Sequence, residues 1–171
     1  MQPIRVPLAE DCYSTFYLQR KGLRLESYFF DWIIISPESC LNLFKTEFKG
    51  YLEKENLISL GPGGTEFKKA EIAVRDLATN IVYLHHFNSI EEDWASLKSK
   101  FDRKIERLEK HFRANRRIEL YYTARRADWI MPEIPTRWGR AEMERVFPEL
   151  RLLLLQRYGY CNETDITLIQ V

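Results

Sequence analysis

The chain has few of the residues that build a disulfide scaffold, a zinc centre or a membrane span. Cysteine occurs three times in 171 residues, at Cys12, Cys40 and Cys161. The number is odd, the spacing wide, and no Cys-x-x-Cys pair exists, so neither structural zinc nor a thioredoxin-like site is expected, and no metal is expected. A secreted disulfide framework would need more cysteines in a shorter chain. No apolar run approaches the roughly 20 residues that cross a bilayer, and MQPIRVPLAEDC lacks the apolar stretch of a signal peptide. The expectation is a cytoplasmic protein of a reducing compartment. Net charge is also missing: 26 basic side chains face 25 acidic ones, leaving a formal +1. With no global field, neither nucleic acid nor an anionic membrane is an expected partner. The clusters Arg113, Arg116, Arg117 and Arg125, Arg126 read first as solvated charged faces. Histidine is confined to His85, His86 and His111, which limits where imidazole chemistry can reside.

Apolar and aromatic residues are plentiful. They make up 45% of the chain, with ten Phe, nine Tyr and four Trp, enough for one packed core. A single domain over 1–171 is expected. Ile4 to Leu8 is a short apolar segment whose Pro3 and Pro7 suit an edge strand or an irregular entry better than a central strand. Asp11 is placed to cap the helix that follows, which ends at Gly22. The run YFFDWIII, 28–35, reads as a buried strand or tight loop, with Asp31 as a buried acid needing partners. Ser36 and Pro37 read as N-cap and first turn of a helix over 37–44, continuing toward Leu52. GPGG at 61–64 lacks the lysine and spacing of a phosphate loop and reads as a turn. Residues 67–75 and 81–87 form an antiparallel hairpin across DLATN.

Trp94, Leu97, Phe101, Ile105, Leu108 and Phe112 recur every three or four residues, the stripe of a long amphipathic helix. A strand over 118–123, a proline-bearing loop, a helix over 142–158 interrupted at Pro148, and a strand over 165–171 complete the chain. Strand and helix alternate from Ile81 onward, which favours parallel crossovers. The fold class is therefore α/β: a mixed sheet with an early hairpin, later parallel strands and helices on both faces.

Cys12 stands where the first strand gives way to a helix. Free amides and the helix dipole at such a point stabilise a thiolate. The neighbouring Asp11 opposes this unless it is turned into the cap. The blander reading of Cys12 is a small core hydrophobe. A thiol nucleophile needs a base, usually imidazole. His111 sits near the end of the long helix and is expected to face solvent. His85 and His86 lie at a strand exit, where alternation sends them to opposite faces, so only one can meet Cys12.

The stretch LAEDCYSTFYLQRKGLRLESYFFDWIIISPESCLNLF resembles the opening of a bacterial family of unknown function described as putative papain-like cysteine peptidases. That family opens with a strand, Ser-Leu-Gly-x-x-Cys, a helix, and Tyr-Pro-Phe-Asp-Trp. It continues with His-Asp-Phe, a Lys-Tyr-x-Arg-Arg-x-x-Arg-Leu helix, and a strand ending in Val-Arg. Matching positions here are Leu8, Cys12, Tyr28, Phe30, Asp31, Trp32, His85, Phe87, Lys100, Phe101, Arg103, Lys104, Arg107, Leu108 and Arg125. Three positions depart: Ala9 replaces the motif glycine, Phe29 the proline, and His86 the acid after the histidine.

The resemblance implies a Cys12 nucleophile, a His85 base and Asp31 as the acid that fixes the imidazole tautomer. Arg125 would bind a carboxylate or phosphate bidentately, with His86, Asp11 and Trp32 beside the substrate. It also implies a papain-like α+β fold as the alternative architecture, no cofactor, and a C-terminal portion beyond the last strand. A thiol-dependent hydrolase or acyl transferase acting on a peptide, acyl or glycan-type substrate is the first functional reading. The alternative is a nonenzymatic small-ligand or protein-binding module with a degenerate site, and Trp129 and Trp138 would then serve a protein partner.

Overall fold

The computed structural model describes residues 3–8, 13–62, 71–114, 117–123 and 140–171. Among the described residues seven strands form two sheets. The first is parallel, ordered β1 (Ile4–Leu8), β6 (Ile118–Tyr122), β7 (Ile166–Gln170). The second is antiparallel, ordered β2 (Ile33–Ile34), β5 (Val82–Phe87), β4 (Ile72–Asp76), β3 (Leu57–Pro62). The class is α/β, as expected, but the parallel and antiparallel pairs lie in separate sheets. β1 is an edge strand, where Pro7 costs no internal ladder bond. The hairpin forms across DLATN. Asp76 stabilises its turn by accepting from the Ala78 amide at 2.9 Å and from the Leu52 amide at 2.7 Å.

Among the described residues four α-helices accompany the sheets: α1 (Tyr13–Arg20), α2 (Pro37–Lys45), α3 (Ile90–Ala114) and α4 (Arg140–Tyr158). Ser36 caps α2 by accepting from the Ser39 amide at 2.9 Å. The helix does not run on toward Leu52. Glu47, Phe48 and Leu52 all adopt positive φ, which ends the helical path. Pro148 lies inside α4, which continues through it. β6, α4 and β7 form the expected parallel crossover. β5, α3 and β6 do not, because α3 carries the chain from one sheet to the other. Strand β3 escaped the sequence reading. Its Gly61 and Pro62 are strand residues facing Ala73 and Ile72, not a free turn.

One core joins both sheets. Val6, Leu120 and Ile166 from the parallel sheet share a cluster with Ile33, Val74, Tyr83 and Phe87 from the other. α3 supplies Leu97, Phe101, Leu108 and Phe112 to it. Phe29 sits at its centre, with T-shaped contacts to Phe30, Phe48, Tyr51 and Phe101 at 5.1–5.4 Å. A second, smaller cluster of Ile34, Ala73, Val82 and Leu84 covers the other face of the antiparallel sheet. Among the described residues no helix is long and apolar enough to cross a membrane.

Candidate active site

β1 and β6 run parallel and in register from Ile4↔Ile118 to Leu8↔Tyr122. Leu8 and Tyr122 are the last strand residues before the stretches that contain Cys12 and Arg125. Those stretches therefore leave adjacent strands at the same carboxyl edge, where open α/β sheets bind ligands. Ala9, Asp11, Cys12, Arg125, Trp129 and Trp138 themselves lie outside the described residues. The other two thiols are described, and they differ. Cys40 is buried, and loss of solvent pushes its thiol well above the usual range, so it is no nucleophile. Cys161 is exposed, after α4.

The YFFDWIII run forms a tight turn ahead of β2. Asp31 is fully buried and its oxygens are all engaged. One oxygen accepts from Arg24 Nη2 at 2.5 Å and from the Tyr28 amide at 3.1 Å. The other lies 3.5 Å from the Thr15 hydroxyl in the first turn of α1. Asp31 thus ties α1 to the turn, and among the described residues it makes no bond to either histidine of β5. The next residue, Trp32, has φ +65, a conformation that a bulky L residue holds only under constraint, at a cost of about 1–3 kcal/mol. Its indole meets Phe16 of α1 edge-on, centroids 4.7 Å apart.

The two histidines both lie in a bulge, which a strict two-residue alternation does not anticipate. Ile72 pairs with Phe87 and Val74 with Tyr83, so Leu84, His85 and His86 together stand opposite Ala73. A bulge re-aims side chains. It brings His86 onto the core side with Tyr83 and Phe87. There its ring is edge-on to Phe101 at 5.3 Å and to Tyr83 at 6.2 Å. Its pKa is lowered to about 3, first by burial and then by the charges of Lys104 and Lys100, while a hydrogen bond to the Trp32 backbone works the other way. Nε2 is buried and has no hydrogen-bond partner among the described residues, and burial keeps the ring neutral at ordinary pH.

His85 has a different setting. It is half-buried, and its Nδ1 lies 3.3 Å from Oε2 of Glu71, the residue just before β4. This is the carboxylate–imidazole contact that the resemblance assigned to Asp31, made by another acid. Nothing in the local sequence marked Glu71. Only the antiparallel pairing of β4 with β5 brings it to His85. Lys104, a match to the family's helix motif, was not expected in the core, although it stands three residues after Phe101 and four before Leu108 and so belongs to the buried stripe of α3. It is 5% exposed, forms no ion pair among the described residues, and is lowered to about 8. Burial is the main cause, Lys100, Arg24 and Arg107 add to it, and attraction to Asp31 opposes it. His111 does not simply face solvent: it is half-buried, 3.5 Å from Glu26 and edge-on to Tyr28.

One sheet thus carries a half-buried imidazole beside a carboxylate, and the first helix, tied down by a buried acid, follows the carboxyl edge of the other. No curated protein and no solved structure matches the chain. A family model does: residues 5–128, which include Cys12, Asp31, Glu71, His85 and Arg125, match the family described as "Putative papain-like cysteine peptidase", and the chain belongs to that family.

Proposed function

We propose that this protein is a thiol-dependent hydrolase or acyl transferase in which Cys12 is the nucleophile and His85 the base. The Cys12 thiolate attacks a substrate carbonyl carbon, and the carbonyl electrons move to oxygen. Amides at the start of α1 receive that oxyanion. When the tetrahedral centre collapses, the bond to the leaving group breaks and His85 returns the proton to it. Water, or an acceptor amine or hydroxyl, then attacks the thioester with His85 as base, and the thiol is restored. Arg125 binds an anionic group of the substrate.

The observation that carries this reading is the Glu71–His85 contact. A carboxylate at Nδ1 selects the Nδ1–H tautomer and leaves Nε2 with the basic lone pair, which is the task of the third member of a triad. The competing reading is a binding module without turnover. It draws on Asp31, the acid the resemblance put behind the base, being committed instead to Arg24, Tyr28 and Thr15.

Acyl transfer separates the two. p-Nitrophenyl acetate is expected to leave one acetyl group on Cys12, seen by mass spectrometry of the quenched protein, and to release nitrophenol in turnover. Cys12→Ser is expected to abolish both, and His85→Ala to cut turnover by about 10²-fold or more. Wild-type protein that acetylates no faster at Cys12 than at Cys161 would establish the binding module.

A further inference from the structure

Phe16 has no part in that chemistry, yet its setting is unlike that of the other aromatic residues. Among the described residues it is the only aromatic side chain left exposed, at 48%, while the other described phenylalanines lie in the core or pack against it. Its one ring contact there is Trp32, met edge-on with centroids 4.7 Å apart. Trp32 holds φ +65, which glycine would adopt without strain, and a large indole stands there instead. Such strain persists where the surroundings over-determine it, and it collects at ligand clamps. The surroundings here are firm. Asp31, one residue earlier, accepts from Arg24 and the Tyr28 amide and reaches Thr15, the neighbour of Phe16.

The pair spans the two halves of the candidate site. α1 begins at Tyr13, the residue after Cys12, and Phe16 closes its first turn. On the other side β2 pairs antiparallel with β5, Ile33 opposite Tyr83. Trp32 is therefore one residue beyond the last pair, level with the start of the Leu84–His86 bulge that carries His85. We infer that Phe16 and Trp32 form an apolar shelf for the acyl group of the substrate, with an aliphatic chain lying across the exposed face of Phe16. The inference rests on the hydrolase reading and narrows its substrate. One turn of helix rises about 5.4 Å, which a hexanoyl chain attached at Cys12 spans and an acetyl group does not. The exposed ring gains by leaving water, and a pair already fixed in place loses little freedom when a chain covers it.

The test compares iodoacetamide with N-hexyliodoacetamide on the full-length chain. Each reagent forms a bond from thiolate sulfur to its methylene carbon and releases iodide. The ratio of the two rates at Cys12, divided by the same ratio at exposed Cys161, removes the intrinsic difference between the reagents. The shelf predicts a corrected preference for the hexyl reagent of about tenfold in wild type. Phe16→Ala, which alters an exposed position, should cut that preference by about fivefold or more, and Phe16→Leu should keep most of it. Trp32→Gly, which suits the backbone and removes the indole, should lower it as well. Equal ratios at Cys12 and Cys161, or a preference untouched by Phe16→Ala, would overturn the shelf; a wild-type Cys12 that still turns over p-nitrophenyl acetate would leave the hydrolase reading standing. A preference lost in Phe16→Ala, without turnover of that ester, would keep the shelf as a ligand platform and remove the hydrolase reading instead. Wild type that sediments as a dimer beside a monomeric Phe16→Ala would assign the ring to a contact between copies and overturn the shelf.

Discussion

The two sheets are built to different standards of regularity. The parallel sheet pairs β1, β6 and β7 without a register break, and its core-facing residues are aliphatic except Tyr122 at the end of β6: Ile4, Val6, Leu8, Ile118, Leu120 and Ile166. The antiparallel sheet has two register shifts, and the second lies beside both histidines of β5. Three of the protein's awkward ionisable groups gather around Phe101 and the turn before β2: His86 edge-on to Phe101, Lys104 over the Phe101 ring, and buried Asp31, next to the strained Trp32. One sheet is a frame that delivers two chain segments to a common edge. The other gives up regularity to aim side chains. Irregular backbone and buried ionisable groups concentrate where a protein places chemistry rather than where it only needs stability.

If this contrast is sound, substitutions over the bulged sheet should be the more consequential. Phe101→Ala removes the ring that touches Phe29, Tyr83 and His86 together, and should cost about 3–5 kcal/mol in urea denaturation. Acid should act through the same sheet. The folded pKa of His86, about 3, lies below its ordinary 6.5. Between these values the unfolded chain binds more protons, so stability present above pH 6.5 is lost as pH falls. By pH 5 the loss is about 2 kcal/mol, and it should vanish from the profile of His86→Phe.

Lys104 tests the contrast with the opposite sign. Its cation is disfavoured by burial, so Lys104→Met should raise stability at pH 7 by about 1–2 kcal/mol. It should also remove the rise in stability expected between pH 8 and 10.5, where the unfolded chain holds the extra proton. The smallest effect belongs to the regular frame: Ile118→Val should cost about 1 kcal/mol, with no pH dependence. A pH-dependent loss in Ile118→Val, or none through His86, would erase the distinction between the sheets.

The elements with strong local signals were legible in the sequence. The stripe from Trp94 to Phe112 identified α3, Ser36 with Pro37 identified the start of α2, and Pro3 with Pro7 argued against a central strand for β1. The proline-bearing segment over 132–135 lies outside the described residues. What stayed hidden was non-local. Whether strands share one sheet depends on how α3 crosses the core, which no local pattern records. The bulge at Leu84–His86 is a relation between two strands, so alternation alone could not tell which imidazole turns inward. Glu71 was unreadable for the same reason, because its partner lies fourteen residues away across a hairpin. Lys104 was hidden by its chemistry: a lysine within a heavily charged helix reads as solvated, although its spacing from Phe101 and Leu108 put it in the stripe.

The most direct measurement is competitive alkylation of the three thiols at neutral pH, in wild type and in His85→Ala, with each site quantified by mass spectrometry. The account predicts that Cys12 reacts at least about tenfold faster than exposed Cys161, that buried Cys40 lags both, and that His85→Ala slows Cys12 alone. Equal rates at Cys12 and Cys161, or a Cys12 rate indifferent to His85, would contradict it.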